Sequence, residues 1–426
     1  MENRNSSSPL AVNYLGGFLA MVFLFFIIGF LTTANTQFQV PLKQVFLSAG
    51  GSMSNTLTTL ITFSWFLAYP IFGAVGSRLV NGVGYKHTLL AGLAIMFVGL
   101  GLFWLSSWVT VQWPGLQVAL GSAVVPVGFF LFLGGSFVVG GSATVLQVVI
   151  NPYLAACRVG STSDIQRMAI GGTANSVGTT LAPYFVSGIV FSGMAVQNVS
   201  VSQLQPPFLG LMAVAAVLLV VLARYPLPDI PNTHAERGEN LERSVWSFRH
   251  FTLGVVAIFF YVGCEVCVGS NINLYVIDDL GLGVDTAVLM ATLYWGGLLV
   301  GRLASSLTNK ISPRAQLTAT TVCAIALVSA AIAANNPWLL VAVGLCHSIM
   351  WGTIFTLAIR GLGKYTSSAT GVFMIGVVGG AVFPLLQGAI ADASGLWRWS
   401  WLVVLVGEVV MLLYAQVGSR IKVCER

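Results

Sequence analysis

Apolar stretches broken at short intervals by polar or Gly- and Pro-bearing connections run the length of this chain. Many are about 20 residues long, the length at which an α-helix crosses a hydrocarbon layer roughly 30 Å thick. Read as spanning helices they number twelve: 12–38, 54–80, 88–108, 124–156, 168–192, 206–224, 249–276, 285–308, 314–334, 337–361, 366–391 and 397–420. The stretch from Ser107 to Val127, with Trp108, Trp113 and Pro114, breaks the rhythm and is expected at the membrane interface ahead of the fourth helix. The first apolar run, Tyr14 to Gly29, is too long for a signal peptide and lacks a small-residue cleavage site, so it reads as the first span.

Composition sharpens the class. Of 426 residues, 56% are hydrophobic and 8% charged, against about 25% charged in soluble domains. That excludes a large soluble enzyme and predicts an all-α membrane protein. The net charge of +6 could suggest nucleic-acid binding, but the basic residues fall in alternate connections. With the N-terminus inside, one side collects Arg78, Lys86, Arg158, Arg167, Arg224, Lys310, Arg314, Arg360 and Arg420; the other holds Lys43 and Arg398 with Asp278, Asp279, Asp285 and Asp392. The positive-inside rule then places both termini in the cytoplasm.

The longest polar insertion, 225–248, falls between the sixth and seventh predicted helices. It divides the chain into six-helix halves at 1–224 and 249–426, with the insertion as a cytoplasmic linker. Gly178 stands five residues before Pro183, and Gly379 five before Pro384, about half the chain further on. The basic connection "GSRLVNGVGYKHT" has a counterpart in "GRLASSLTNKISPRAQ". Pseudo-symmetric halves repeated in parallel, with a site near mid-depth between them, describe a transporter architecture.

Several segments add a resemblance. "FLTTANTQFQVPLKQVF", "GYK" at 84–86, "LQVVINPYLA", "QRMAIGGTANSVG", "FYVGCEVCVGS" and "GTIFTLAIRGLGKYTSSATGVFMIGVVGGAVFPLLQGAIADASG" resemble the major facilitator superfamily. Within it they resemble the fucose–proton symporter family, which includes bacterial fucose and glucose/galactose permeases. The resemblance implies a twelve-helix major facilitator fold and sugar transport. It also exposes departures. The family's helix 1 Asp falls on Gln37 when counted back from Pro41, or on Thr36 when counted forward from Gly29 and Phe30; its helix 4 Glu falls on Gln147. A family Gln in helix 5 falls on Gly172, while the following Asn is kept as Asn175. The first half keeps hydrogen-bonding side chains but has lost both acids linked to substrate binding and proton coupling.

Only Glu265 and Glu408 are acids clearly inside predicted spans. A charged side chain at the bilayer centre costs about 2.5–3.5 kcal/mol on insertion scales, so such an acid is expected to face a cavity or a partner. Glu265, mid-way along the seventh helix, is the candidate for cation coupling and for a substrate hydroxyl; its structural alternative is a neutral core Glu near Arg302 or Asn271. Glu408 reads as local hydrogen bonding on a peripheral helix. His347, alone among small residues, reads as structural.

Sugar sites need amides and acids for vicinal hydroxyls and flat rings for the C–H face. Candidates are Asn35, Gln37, Gln147, Asn151, Asn175, Glu265, Asn273 and Trp351, with Gln39, Asn271, Tyr294, Trp295 and Gln387 behind them. Asn151, beside Pro152, could instead satisfy backbone groups freed there. Arg78, Gly84 and Lys86 form the expected gating loop. The six scattered cysteines, Cys264-x-x-Cys267 included, imply packing and no disulfide framework or metal site. No Walker, G-x-G-x-x-G or metal-ligand pattern occurs, so no cofactor or enzyme activity is expected.

The expectation is a monomeric secondary transporter in the cell inner membrane that imports a monosaccharide by alternating access. Its coupling ion is H⁺, with Na⁺ coupling or facilitated diffusion as alternatives. Rival readings are a transporter for an amino sugar or nucleoside, and a membrane sensor of transporter ancestry.

Overall fold

The structure, a computed structural model, describes residues 14–47, 53–120, 123–157, 159–162, 164–191, 200–228, 243–306, 311–362 and 372–421, with 365 and 369. Among them twelve long helices follow one another: α1 (Leu15–Gln37), α2 (Ser54–Val80), α3 (Gly82–Gln112), α4 (Val127–Ala156), α5 (Asp164–Tyr184) and α6 (Gln205–Arg224), then α7 (Arg249–Asp278), α8 (Val284–Ser306), α9 (Pro313–Ala334), α10 (Pro337–Ile359), α11 (Met374–Ser394) and α12 (Trp397–Gly418). Eleven are long and apolar enough to cross a membrane; α5, with its run of Gly, Thr, Asn and Ser, takes the twelfth place. Residues 229–242, most of the expected linker, lie outside the described residues.

Small residues set the packing. A Cβ on Gly178 of α5 would strike the Phe26 carbonyl of α1, and one on Gly379 of α11 would strike the Phe259 carbonyl of α7. Each of these glycines, five residues ahead of its proline, presses the fifth helix of its half onto the first. The halves meet along α2–α11, where Gly380 faces the Phe66 ring and Gly388 faces Thr59, and along α5–α8 and α1–α7.

Local chemistry explains the interruptions. Pro183 has no N–H to donate, and α5 passes directly into a π-helical turn at Phe185–Val190. Gly84, at φ +79°, kinks the chain in the first turn of α3, just after α2 ends, in a conformation only glycine adopts cheaply. Two features differ from the sequence reading. The segment before α4 is a two-stranded antiparallel ribbon, β1 (Gln117–Leu120) with β2 (Ala123–Pro126), where helix was expected from 124. The predicted single helix at 337–361 is two, Pro337–His347 and Met350–Ile359, joined by a turn at Ser348–Ile349.

Candidate functional site

The break in α10 builds the centre of the site. Interrupting the helix frees main-chain carbonyls that lipid cannot satisfy, so side chains must. The Tyr261 hydroxyl stands 3.0 Å from the His347 carbonyl oxygen, and Arg302 Nε donates to the Ser348 carbonyl at 3.3 Å. Both side chains also reach Glu265. Tyr261, one turn before it on α7, places its hydroxyl 3.0 Å from Glu265 Oε1, and Arg302 Nη2 stands 3.8 Å from the same oxygen. The other arm of Arg302 donates to Ser176 Oγ of α5 at 2.7 Å. Glu265 therefore sits at mid-depth on the seam between halves, with 14% of its side chain exposed and 37% of Arg302's.

The amides fall into separate groups. Gln37 and Asn273 meet across the halves: the Asn273 amide donates to Gln37 Oε1 at 2.5 Å, and the Gln37 amide donates to the Gly269 carbonyl at 3.2 Å. Asn35 and Asn175 instead tie helices within the first half, donating to the Ile61 and Phe25 carbonyls at 3.3 and 3.0 Å. Gln147, half-buried on α4, donates to the Tyr69 hydroxyl of α2 at 3.0 Å. Asn151 is half-buried on α4, and Trp351 is half-buried with its ring edge-on to Tyr261 and Phe373. Asn271 donates to Gln387 Oε1 at 2.9 Å, a tie from α7 to α11.

Beyond mid-depth, on the side away from the termini, the halves are clasped. Lys43 pairs with Asp278. Asp392 on α11 accepts from the Asn55 and Thr56 amides at 3.1 and 2.7 Å and from the Thr56 hydroxyl at 2.6 Å. These are orphan donors in the first turn of α2, where the helix dipole also favours a carboxylate. Between clasp and centre, Gln37, Pro41, Pro183, Ser187, Asn273 and Val288 line a cavity of about 40 Å³. At about 10–15 Å³ per water it holds a few waters and no sugar ring.

On the side of the termini, Arg78 is exposed and Lys86 half-buried, and neither has a hydrogen-bond or ion-pair partner among the described residues. No cluster of His, Cys, Asp and Glu among the described residues is arranged to hold a metal ion.

Three residues of the central cluster carried no site role in the sequence reading. Tyr261 had a signal, since it lies four residues from Glu265 and so on the same helix face. Arg302 enters that reading only as a neighbour of Glu265. His347, read as a lone structural side chain, lies with Nε2 2.6 Å from Glu408 Oε1 and Nδ1 2.7 Å from the Tyr294 hydroxyl. With Glu408 and Tyr294 these residues come from four different helices, and pairings of that range leave no mark on spacing.

Two six-helix bundles closing on a polar mid-depth seam are the architecture of a major facilitator transporter. Residues 14–377 match the Major Facilitator Superfamily, and the chain belongs to it as a multi-pass membrane protein. It is 32% identical over 416 residues to the glucose/galactose transporter of Brucella abortus biovar 1 (strain 9-941), covering 96% of this chain and 95% of that one. It is 33% identical over 381 residues to the putative glucose/galactose transporter of Helicobacter pylori strain J99, covering 87% of each. The crystal structure of the E. coli fucose:proton symporter superposes with a TM-score of 0.66 at 20% identity, covering 96% of this chain and all of that one.

Proposed function

We propose that this protein is a secondary active transporter that imports a monosaccharide across the inner membrane by alternating access, coupled to H⁺ through Glu265. Residues 1–224 and 249–426 rock as two units about the mid-depth seam, with both termini in the cytoplasm. The observation that carries the reading is the placement of Glu265. It is a partly exposed acid at the seam, held by Tyr261 and set beside an arginine that reaches the opposite half. The relatives named as glucose/galactose transporters support the sugar, and the fold shared with a fucose:proton symporter accords with the ion.

Gln147, Asn151 and Trp351 are half-buried like Glu265, and together they would supply amide, acid and ring for a pyranose. Gln37 and Asn273 bond to each other in this closed arrangement, and opening of the clasp would release both amides toward the substrate. Asn35 and Asn175 hold the helices that carry the site. Protonation of Glu265 removes its charge beside Arg302 and lets that side chain exchange partners between the halves.

The test is sugar uptake into proteoliposomes with pH and Na⁺ gradients imposed separately. Uptake should follow the pH gradient, and Glu265→Gln should abolish accumulation while leaving counterflow exchange measurable. Unchanged accumulation in that variant would remove Glu265 from coupling, and uptake driven only by a Na⁺ gradient would replace the ion.

A further inference from the structure

Behind the break in α10 lies a buried acid–imidazole pair that the transport reading leaves without a role. His347 and Glu408 both have fully buried side chains, with Nε2 2.6 Å from Oε1. On the other side of the ring, Nδ1 is 2.7 Å from the Tyr294 hydroxyl, which is 3.0 Å from the Glu265 main-chain oxygen. A carbonyl only accepts, so Tyr294's single hydrogen is committed to it and Nδ1 must carry a hydrogen of its own. Nε2 and Oε1 then need one further proton between them, because two lone pairs at that separation repel.

Two arrangements satisfy this count, and the pair is neutral in both. In one, an imidazolium faces a carboxylate. In the other, the Nε2–H bond has broken, an O–H bond has formed on Oε1, and a neutral imidazole faces a carboxylic acid. Glu408 Oε2 is buried with no hydrogen-bond partner among the described residues. A carboxylate with one oxygen unsatisfied is tolerable only against the imidazolium, whereas the acid form leaves just an unmatched C=O. Neither arrangement is ideal, so a nearby charge can choose between them.

The ionisable and charged groups around the pair are Tyr261, Cys264 and Glu265 on α7, Tyr294 and Arg302 on α8, and Cys346 on α10, with Cys323 of α9 against Cys346. Among these, Glu265 is the group whose charge changes in the proposed cycle. Its link to His347 is short: the Tyr261 hydroxyl touches both the Glu265 carboxyl and the His347 carbonyl.

We propose that His347 and Glu408 form a second proton-binding site, whose one shared proton rests on His347 while Glu265 is ionised and passes to Glu408 when Glu265 is protonated. The proposal rests on Glu265 being the coupling acid. A negative Glu265 favours a positive imidazole nearby, and a neutral Glu265 removes that preference. The pair itself stays neutral as the cycle turns, and only the place of its proton, and so its dipole, answers the charge on Glu265.

Infrared difference spectroscopy of the purified full chain in lipid nanodiscs, titrated with acid, reads the Glu408 proton directly. In the native chain a carboxylic-acid C=O band should grow in step with protonation of Glu265 and be lost in Glu408→Gln, which keeps a hydrogen bond to the imidazole. In Glu265→Gln, whose neutral amide mimics the protonated acid, the Glu408 band, read as the difference between Glu265→Gln and the Glu265→Gln/Glu408→Gln double variant, should be present at every pH at which the chain stays folded. A Glu408 band that never appears, or that titrates identically in Glu265→Gln, overturns the proposal. If Glu408→Gln does not fold, ¹⁵N-histidine NMR reads the other end of the same proton. The signal assigned by its loss in His347→Gln should change from imidazolium to imidazole on Glu265→Gln, and a constant signal overturns the proposal. Failure of proton-driven uptake is a separate result, read from transport, and leaves both titrations interpretable.

Discussion

Tyr261 has one hydroxyl hydrogen and two acceptors, Glu265 Oε1 and the His347 carbonyl, each at 3.0 Å. Both bonds exist at once only if Glu265 is protonated and donates to Tyr261, which then donates to His347. An ionised Glu265 competes with the carbonyl for the same hydrogen. Tyr261→Phe keeps the ring against Trp351 and His347 but leaves a buried carbonyl unmatched, which costs about 1–3 kcal/mol. Thermal unfolding in detergent should show that loss as a lower midpoint; an unchanged midpoint would mean that water or another donor already serves the carbonyl. At this scale the sequence was partly legible. An acid inside an apolar helix stands out because its burial is costly, and Glu265 stood out for that reason. A tyrosine in the same helix does not, because it is as much at home in a packed core as in a site.

Among the helices, glycine carries much of the readable information. Gly178 and Gly379 betrayed the repeat because close approach of two helix backbones excludes a Cβ, and that demand recurs wherever the geometry recurs. Gly379→Ala places its methyl against the Phe259 main chain, which cannot swing aside as a side chain would. Overpacking of this kind costs about 1–3 kcal/mol. Gly352→Ala is the matched control, since nothing lies within 4 Å of the added carbon. It should be neutral or stabilise the helix by about 0.5–1 kcal/mol. Unfolding midpoints of the two variants, measured side by side, should separate in that order, and equal midpoints would mean that α7 and α11 yield freely. The break at Ser348–Ile349 was not legible. It carries no proline, and it is stabilised by Tyr261 and Arg302 from other helices. The ribbon at Gln117–Pro126 was missed because short Val-rich apolar runs fit strand and helix alike.

For the molecule as a whole, the contacts are lopsided. Among the described residues, the polar links seen to span the halves gather at mid-depth and toward the end away from the termini, while Arg78 and Lys86 have no partner among those residues at the other. Sequence patterning anticipated two halves and a seam but not which end is shut, because one sequence must be compatible with both ends of the cycle. The balance is open to measurement. Asp392 holds three donors at the first turn of α2 from the opposite half, and loss of a helix-capping oxygen typically costs about 0.5–2 kcal/mol. Lys43 and Asp278 are partly exposed, with 20% and 30% of their side chains accessible, so their pair is worth at most about 1 kcal/mol and weakens with salt. Asp392→Ala should therefore unlatch this end more than Lys43→Ala does. A shift of one or two kcal/mol changes a two-state ratio about 5–30-fold. Ser187 lines the small cavity beneath the clasp, so a Ser187→Cys thiol reports its opening. Its labelling by an impermeant reagent supplied from the side away from the termini should quicken by that factor in Asp392→Ala, taken relative to the parent with its native cysteines. In Lys43→Ala it should quicken less, and high salt should erase the difference between Lys43→Ala and the parent. Labelling that ignores Asp392→Ala would mean that the Gln37–Asn273 contact holds this end shut without the cap, and would move the latch from helix termini to the amide pair.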